Sequence, residues 1–276
     1  MTTLALGSTT YDVTTRALVM GILNRTPDSF YDRGAYWDME SFLVRAQQLV
    51  DDGADLLDVG GVKAGPGPVV TEQEEMDRVV PAIELVRRRF DLPIAVDTWR
   101  APVAAAAFGA GAVLGNDISG FADKEYLPVA AQAGASVVAT HIRVAPRVPD
   151  PQPQYGDVVA EVSEFLLDRA RRATAAGIPA ERIILDAGLD LGKTPEQSLA
   201  LLRASDRLAG HGYPLLLSAS NKTFLGRLLD LGIDERRDVS LAAAALGIAL
   251  GCRIVRAHDV RGTRRVCHLL AAIMEA

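Results

Sequence analysis

Residues 17–24 read Ala-Leu-Val-Met-Gly-Ile-Leu-Asn, an apolar run without alternation that ends on an amide. A strand with one wet face alternates polar and apolar residues. An unbroken run predicts a strand covered on both faces, as in a parallel sheet. Seven more such runs follow, over 56–61, 94–98, 113–117, 136–141, 182–188, 214–220 and 253–258. Between them lie amphipathic stretches, such as 39–52, 71–90, 157–177 and 262–275. Pro102, Pro128 and Pro195 stand near predicted helix starts, where a missing N–H does no harm. Eight β–α units in 276 residues, with no obvious linker, predict one α/β domain over 1–276: a (β/α)8 TIM barrel. A doubly wound sheet is the alternative, but no Gly-x-Gly-x-x-Gly follows the first run.

Composition narrows the function. Apolar residues make up 49% of the chain and charged residues 23%, enough for a full core and unlike a disordered chain. The 29 Lys and Arg against 35 Asp and Glu leave a net charge of -6, which argues against nucleic acid as partner. A small anion in a local basic pocket is still compatible. Cys252 and Cys267 cannot form a disulfide framework, so a reduced, cytoplasmic setting is expected. The opening residues lack a basic region followed by a long apolar one, so no signal peptide is expected. The longest apolar run, 241–252, is far below the ~18 residues that span a bilayer, and predicts a buried helix. Segment 144–155 carries Pro146, Pro149, Pro151 and Pro153 and is expected as a stiff, mobile loop above the fifth strand.

Functional residues of a barrel gather at the carboxyl ends of its strands. Here those ends hold Asn24, Asp58, Asp97-Thr98, Asn116-Asp117, Thr140-His141, Asp186, Ser218, Ser220, Lys222, Arg256, His258 and Asp259. Each Asp alone reads as a helix N-cap. Together they are too many buried polar groups to leave without partners. Carboxylates and amides suit a flat heterocycle with adjacent N–H donors and a carbonyl; Lys222, Arg256 and His258 suit an attached phosphate or pyrophosphate. The histidines 141, 211, 258 and 268 are scattered, with no metal-ligand spacing, and no Gly-x-Ser-x-Gly nucleophile motif occurs. Trp37, Trp99 and Tyr155 near loops suit stacking on an aromatic substrate, or simple packing.

The run Met20-Gly-Ile-Leu-Asn24-Arg-Thr-Pro-Asp28-Ser-Phe30 resembles the opening signature of dihydropteroate synthases, and 53–61 resembles their second. Asp97-Thr98, Asn116-Asp117, the run Asp186 to Lys193, Ser220-Asn-Lys222 and Arg256-Ala-His258-Asp259 follow in that family's order, so the likeness covers roughly 17–275. The resemblance implies a homodimeric barrel of folate biosynthesis. Its members are transferases joining 6-hydroxymethyl-7,8-dihydropterin pyrophosphate to 4-aminobenzoate. Carried over by position, Asp97, Asn116, Asp186 and Lys222 would hold the pterin. Asn24, Arg256 and His258 would hold the pyrophosphate, Asn24 through Mg2+. Ser220 and Lys63 would face the second substrate, and Asp97, Lys222, Arg256 and His258 would carry catalysis. Asp97 would stabilise a developing methylene cation, or only bind the ring.

Departures from the family fall on one side. The loop usually read as Glu-Ser-Thr-Arg-Pro-Gly is here Val62-Lys63-Ala64-Gly65-Pro66-Gly67. Asn221 replaces an Arg, Arg25 a Val, and the fifth strand ends His141-Ile-Arg143-Val144 instead of His-Met-Gln-Gly. The altered loop is similar to that of a divergent second actinobacterial paralogue, and predicts pterin binding with weak or absent condensation. Lys63 or Arg143 would replace a missing guanidinium only in part, because Lys lacks the planar fork. The alternatives are a catalytically inert pterin-binding paralogue and a transferase using a different nucleophile. The related pterin domain of corrinoid methyltransferases fits the Asn-x-Thr-Pro-Asp-Ser-Phe and Ser-x-Lys segments less well. Broad apolar faces over 238–251 and 262–275 predict a homodimer through the last helices.

Overall fold

The computed structural model describes residues 2–26 and 38–276. Pro27, Asp28, Ser29, Phe30 and Trp37 lie outside the described residues. The chain opens with an antiparallel hairpin that the sequence reading did not expect, β1 (Thr3–Leu6) and β2 (Thr9–Asp12), turned at Gly7 with φ +59°. Eight parallel strands then close a barrel: β3 (Leu18–Asn24), β4 (Leu56–Gly60), β5 (Ile94–Asp97), β6 (Leu114–Asp117), β7 (Ser136–Thr140), β8 (Ile183–Asp186), β9 (Leu215–Leu217) and β10 (Cys252–Ala257). Each pairs with its sequence neighbour, and β10 closes on β3.

Strand alternation sorts the apolar residues into two shells. Leu18, Met20, Leu56, Ala95, Leu114, Val138, Ile184, Leu216 and Ile254 fill the barrel interior. Leu4, Leu6 and Val13 from the hairpin pack into the same cluster and plug the floor. Ser136 and Arg182 hold the plug by donating to the carbonyls of Ala5, at 2.5 Å, and Gly7, at 2.8 Å. The opposite face of the strands, including Val19, Leu57, Val59, Val137 and Leu185, packs under the helices.

The helices are α1 (Met39–Asp51), α2 (Glu72–Arg89), α3 (Ala101–Gly109), α4 (Tyr126–Gln132), α5 (Val158–Ala175), α6 (Pro195–Arg203), α7 (Ser205–Ala209), α8 (Thr223–Leu229), α9 (Arg237–Ala249) and α10 (Val260–Glu275). Asp38, Thr71, Asp157, Thr194 and Asp259 cap five of them with side-chain oxygens, satisfying first-turn N–H groups. The expected run 214–220 is extended only over Leu215–Leu217. Beyond it Asn221 takes φ +57° and the Lys222 N–H turns back to the Ala219 carbonyl at 3.2 Å. The apolar run 241–252 divides between the end of α9 and Cys252, which opens β10; Cys252 and Cys267 are both buried thiols without a disulfide. No helix of the described residues is long and apolar enough to cross a membrane.

Candidate active site at the carboxyl ends of the strands

The inward register that places Leu56, Ala95, Leu114, Val138, Ile184, Leu216 and Ile254 in the interior fixes what stands two residues further on. Those positions are Asp58, Asp97, Asn116, Thr140, Asp186, Ser218 and Arg256, a polar storey directly above the apolar one. Residues one step out of phase turn away. Asp117 accepts the N–H groups of Ser119 at 2.6 Å and Phe121 at 2.9 Å, which makes it a loop brace. Thr98 accepts from the Arg100 N–H at 3.3 Å. The His141 ring sits edge-on to Phe165 of α5 at 4.8 Å. These three, part of the ring expected from sequence, belong to the scaffold.

Four residues of the storey form one hydrogen-bonded network. The Arg256 guanidinium donates to Asp58 Oδ2 at 2.6 Å and to Asp97 Oδ2 at 2.8 Å. Asn116 donates to the same Asp58 oxygen at 3.2 Å. The Gly188 N–H donates to Asp186 Oδ1 at 2.8 Å, and Lys222 Nζ reaches the Leu189 carbonyl at 2.9 Å. Burial raises the pKa of Asp97, opposed by Arg256, and raises that of Asp186. Burial lowers Lys222. For Arg256 burial works against the charge, but Asp58 and Asp97 outweigh it and hold the group protonated. Asp58 Oδ1 and Thr140 Oγ1 are buried with no hydrogen-bond partner among the described residues. A buried polar atom left bare is costly, so the Asp58 oxygen calls for a donor and the Thr140 hydroxyl for a partner of either kind, brought by a ligand.

Asp58 is the functional candidate that the sequence reading passed over when assigning roles. The signal was its phase relative to Leu56. Lys193, quoted only as the end of a motif, is also buried. Its ammonium donates to the carbonyls of Gly188 at 2.8 Å and Leu191 at 3.0 Å and meets His141 Nδ1 at 2.9 Å. Burial, then the Lys193 charge, lowers His141 to about 3, so the ring is neutral and accepts from Lys193. Glu75 of α2, fully buried, binds Arg100 at 2.6 Å; Arg100 in turn donates to the Val70 carbonyl at 2.8 Å. Arg78 donates to the Gly61 carbonyl at 2.8 Å. Together they pin both roots of loop 62–70.

Outside the ring the geometry is looser. A cavity of about 530 Å³ opens between Asn24, Lys63, Ala64, Ser220, Lys222 and His258. Ser220 Oγ accepts the His258 backbone N–H at 3.1 Å and lies 3.0 Å from Nδ1. The hydroxyl then donates to Nδ1, leaving the imidazole proton on Nε2. Asn24, at the end of β3, stands over Gly60. A Cβ there would come within 3.3 Å of its amide oxygen and 3.5 Å of Asp97 Cβ. Loop 62–70 rests on the Pro-rich segment: the Arg147 N–H donates to Ala64 O at 3.1 Å, and its guanidinium to Pro68 O at 2.5 Å. Arg143 donates from two of its three guanidinium nitrogens to Asp150, at 2.5 and 2.6 Å, which corrects its expected use as a spare guanidinium. Tyr155 donates to the Gly192 carbonyl at 2.8 Å and Gln197 to that of Pro153 at 3.2 Å. The segment expected to be mobile is thus tied at several points.

Fold and site define a (β/α)8 barrel with a charged axial pocket open at the carboxyl ends of its strands. A family model described as "Pterin binding enzyme" matches residues 20–258. The chain is 46% identical over 264 residues to "Inactive dihydropteroate synthase 2" of Mycobacterium leprae, covering 94% of this chain and 91% of that one. It is 40% identical over 261 residues to dihydropteroate synthase of Bacillus subtilis, covering 94% and 89%. A crystal structure of the Yersinia pestis dihydropteroate synthase in a sulfonamide drug complex superposes with a TM-score of 0.95 at 36% identity, over 99% of this chain and all of that one. The chain belongs to the pterin-binding enzyme family, among the dihydropteroate synthases and their inactive paralogues.

Proposed function

We propose that the axial pocket binds 6-hydroxymethyl-7,8-dihydropterin pyrophosphate, and that condensation with 4-aminobenzoate is weak or absent. The observation that carries the reading is the polar storey with its two bare oxygens, on Asp58 and Thr140. Asp97, Asn116, Asp186 and Lys222 hold the pterin, joined by Asp58. Asn24, Arg256 and His258 receive the pyrophosphate. Ser220 and Lys63 face the second substrate.

Magnesium fits this site. Asn24 offers a hard amide oxygen kept clear of the wall by Gly60, and Mg2+ is commonly held by one or two protein oxygens plus phosphates and water. Among the described residues no group of three or more His, Cys, Asp or Glu competes for it. When bound, the ion adds positive charge beside the departing pyrophosphate. In the transfer itself the amine lone pair forms a C–N bond to the pterin methylene carbon. The C–O bond to pyrophosphate breaks with its electron pair going to the pyrophosphate, and the amine proton passes to solvent. Asp97 and Asp186 steady the cationic pterin, while Arg256 steadies the leaving group.

Reading the chain as an inert pterin-binding paralogue is favoured by Ala64 and Gly65, small residues where the family pattern has Thr and Arg. The two buried thiols fit a reducing compartment, the cytoplasm. Exposed Leu246 on α9 and Leu269 and Ile273 on α10 support a homodimer through these helices, which light scattering at micromolar concentration would contradict by finding a monomer. The functional test is to titrate the pterin pyrophosphate into the protein, then to follow pyrophosphate release with and without 4-aminobenzoate. Binding without release supports the reading; turnover at the rate of an ordinary synthase overturns it.

A further inference from the structure

Asp190 has no part in the pterin pocket, yet it lines the 530 Å³ cavity and also the 200 Å³ space between loops 62–70 and 142–150. Its backbone lies at φ +68°, a region that L side chains enter with strain, and such strain persists where the surroundings enforce it. Its backbone N–H, which donates to Ser198 Oγ at 3.2 Å, and its side chain both hold it there. One carboxylate oxygen accepts the Thr223 N–H at 2.5 Å, and both accept from the Phe224 N–H, at 3.2 and 3.3 Å. The preceding Lys222 donates to the Leu189 carbonyl at 2.9 Å, so segments 189–190 and 222–224 are joined twice. The carboxylate is therefore a fixed negative charge in the cavity wall, and it occupies two backbone donors there. The polar groups around it are committed too. The Asn221 carbonyl accepts from Arg236 at 3.1 Å and its amide oxygen from Ser240 at 3.4 Å, while Arg143 is bound to Asp150. Lys63, Lys222 and Arg256 supply the opposing charge on this cavity.

We propose that Asp190 is a specificity-determining residue for the second substrate: it disfavours an amine that carries its own carboxylate and turns the site toward an uncharged arylamine. This rests on reading the chain as a pterin-pyrophosphate-binding member of its family. The bond changes are those given above; only the substituent remote from the amine differs.

The test uses two ligands of one shape that differ by one charge. The 276-residue protein is loaded with pterin pyrophosphate and titrated by calorimetry with 4-aminobenzoate and with 4-aminobenzamide, then again as Asp190→Asn and Asp190→Gly. Asp190→Asn keeps an oxygen for the Thr223 N–H and removes only the charge. Because Lys63, Lys222 and Arg256 also line the cavity, the signature is a change in ratio: both variants should shift the acid-to-amide affinity ratio about tenfold toward the acid relative to the unmodified protein. A purely structural role would weaken both ligands together. A ratio that moves less than about twofold across the three proteins overturns the proposal, as does failure of all three to bind either amine. If the pterin pyrophosphate itself does not bind, the reading of the pocket falls, and this inference with it; that outcome shows in the loading step.

Discussion

The axial storey and the outer rim of this barrel are built on different principles. In the storey, Asp58, Asp97, Asn116 and Arg256 sit on strands, and one guanidinium binds two carboxylates from two other strands. In the rim, loop 62–70, segment 143–155 and Asp190 are held by contacts to other loops and to helix ends, such as Arg147 to Pro68 and Asp190 to Thr223. A strand residue cannot leave its face without shifting the whole strand, whereas a loop residue is replaced at little cost to the fold. That asymmetry explains how a chain can keep a family's ring while its rim departs: Ala64, Gly65, Asp190 and Asn221 all belong to loops.

The hardest blow to this contrast is Arg256→Met. It leaves Asp58 and Asp97 buried without their partner, and breaking a buried pair by removing one side costs about 3–5 kcal/mol. Chemical denaturation should show that loss. The matched rim change, Arg143→Met, removes a pair whose guanidinium is about a third exposed, at 35%, and should move the denaturation midpoint far less, by about 1 kcal/mol at most. Equal effects from the two would erase the distinction between ring and rim.

Next in size is Asp186→Ala. The carboxylate at the end of β8 is buried and would accept pterin N–H groups, so its loss should weaken pterin affinity by roughly 2–4 kcal/mol. Calorimetry measures this, with circular dichroism to show the fold intact. Unchanged affinity would place the ligand away from the ring.

How far all this was legible follows from the same asymmetry. Runs buried on both faces announce β3 to β10, because double burial removes polar residues from a strand. The hairpin β1–β2 escaped because it is short and half exposed, with Thr9, Thr10 and Asp12 facing water. Asp58 and Asp117 look alike as strand-end carboxylates. Only the phase set by Leu56 and Leu114 sends the first to the axis and the second to a loop brace. The clamp of Glu75, Arg78 and Arg100 on loop 62–70 joins groups 17 to 30 residues apart, beyond the reach of local pattern.

The rim can be repaired in part. Gly65 has open space where a side chain would stand, and its φ is not left-handed, so Gly65→Arg is sterically allowed and can be combined with Ala64→Thr. Restoring groups that close over the second substrate should raise pyrophosphate release with 4-aminobenzoate by about tenfold, since misplacement by about 1 Å costs roughly 100-fold. Adding Asn221→Arg should help less than the family pattern implies. Asn221 sits at φ +57°, a conformation that Asn tolerates and Arg resists. A coupled pyrophosphate assay with no gain from the double change would mean that the rim is not what limits turnover.

The smallest effect lies at residue 258, where ring and rim meet. Burial, then the charges of Arg256, Arg45 and Lys222, lower His258 to about 3, so its ring is neutral at pH 7. A pyrophosphate beside Nε2 would favour the imidazolium and raise that pKa. Binding must then take up protons, and by linkage affinity rises as pH falls. Calorimetry of the pterin pyrophosphate near pH 6, in two buffers of different ionisation heat, gives the uptake. The ligand's own ionisation is common to both proteins, so the difference between the unmodified chain and His258→Gln isolates the imidazole. It should be positive and below about one proton. No difference would put the anion away from His258 and leave Asn24 and Arg256, the latter already bound to Asp58 and Asp97, to receive it.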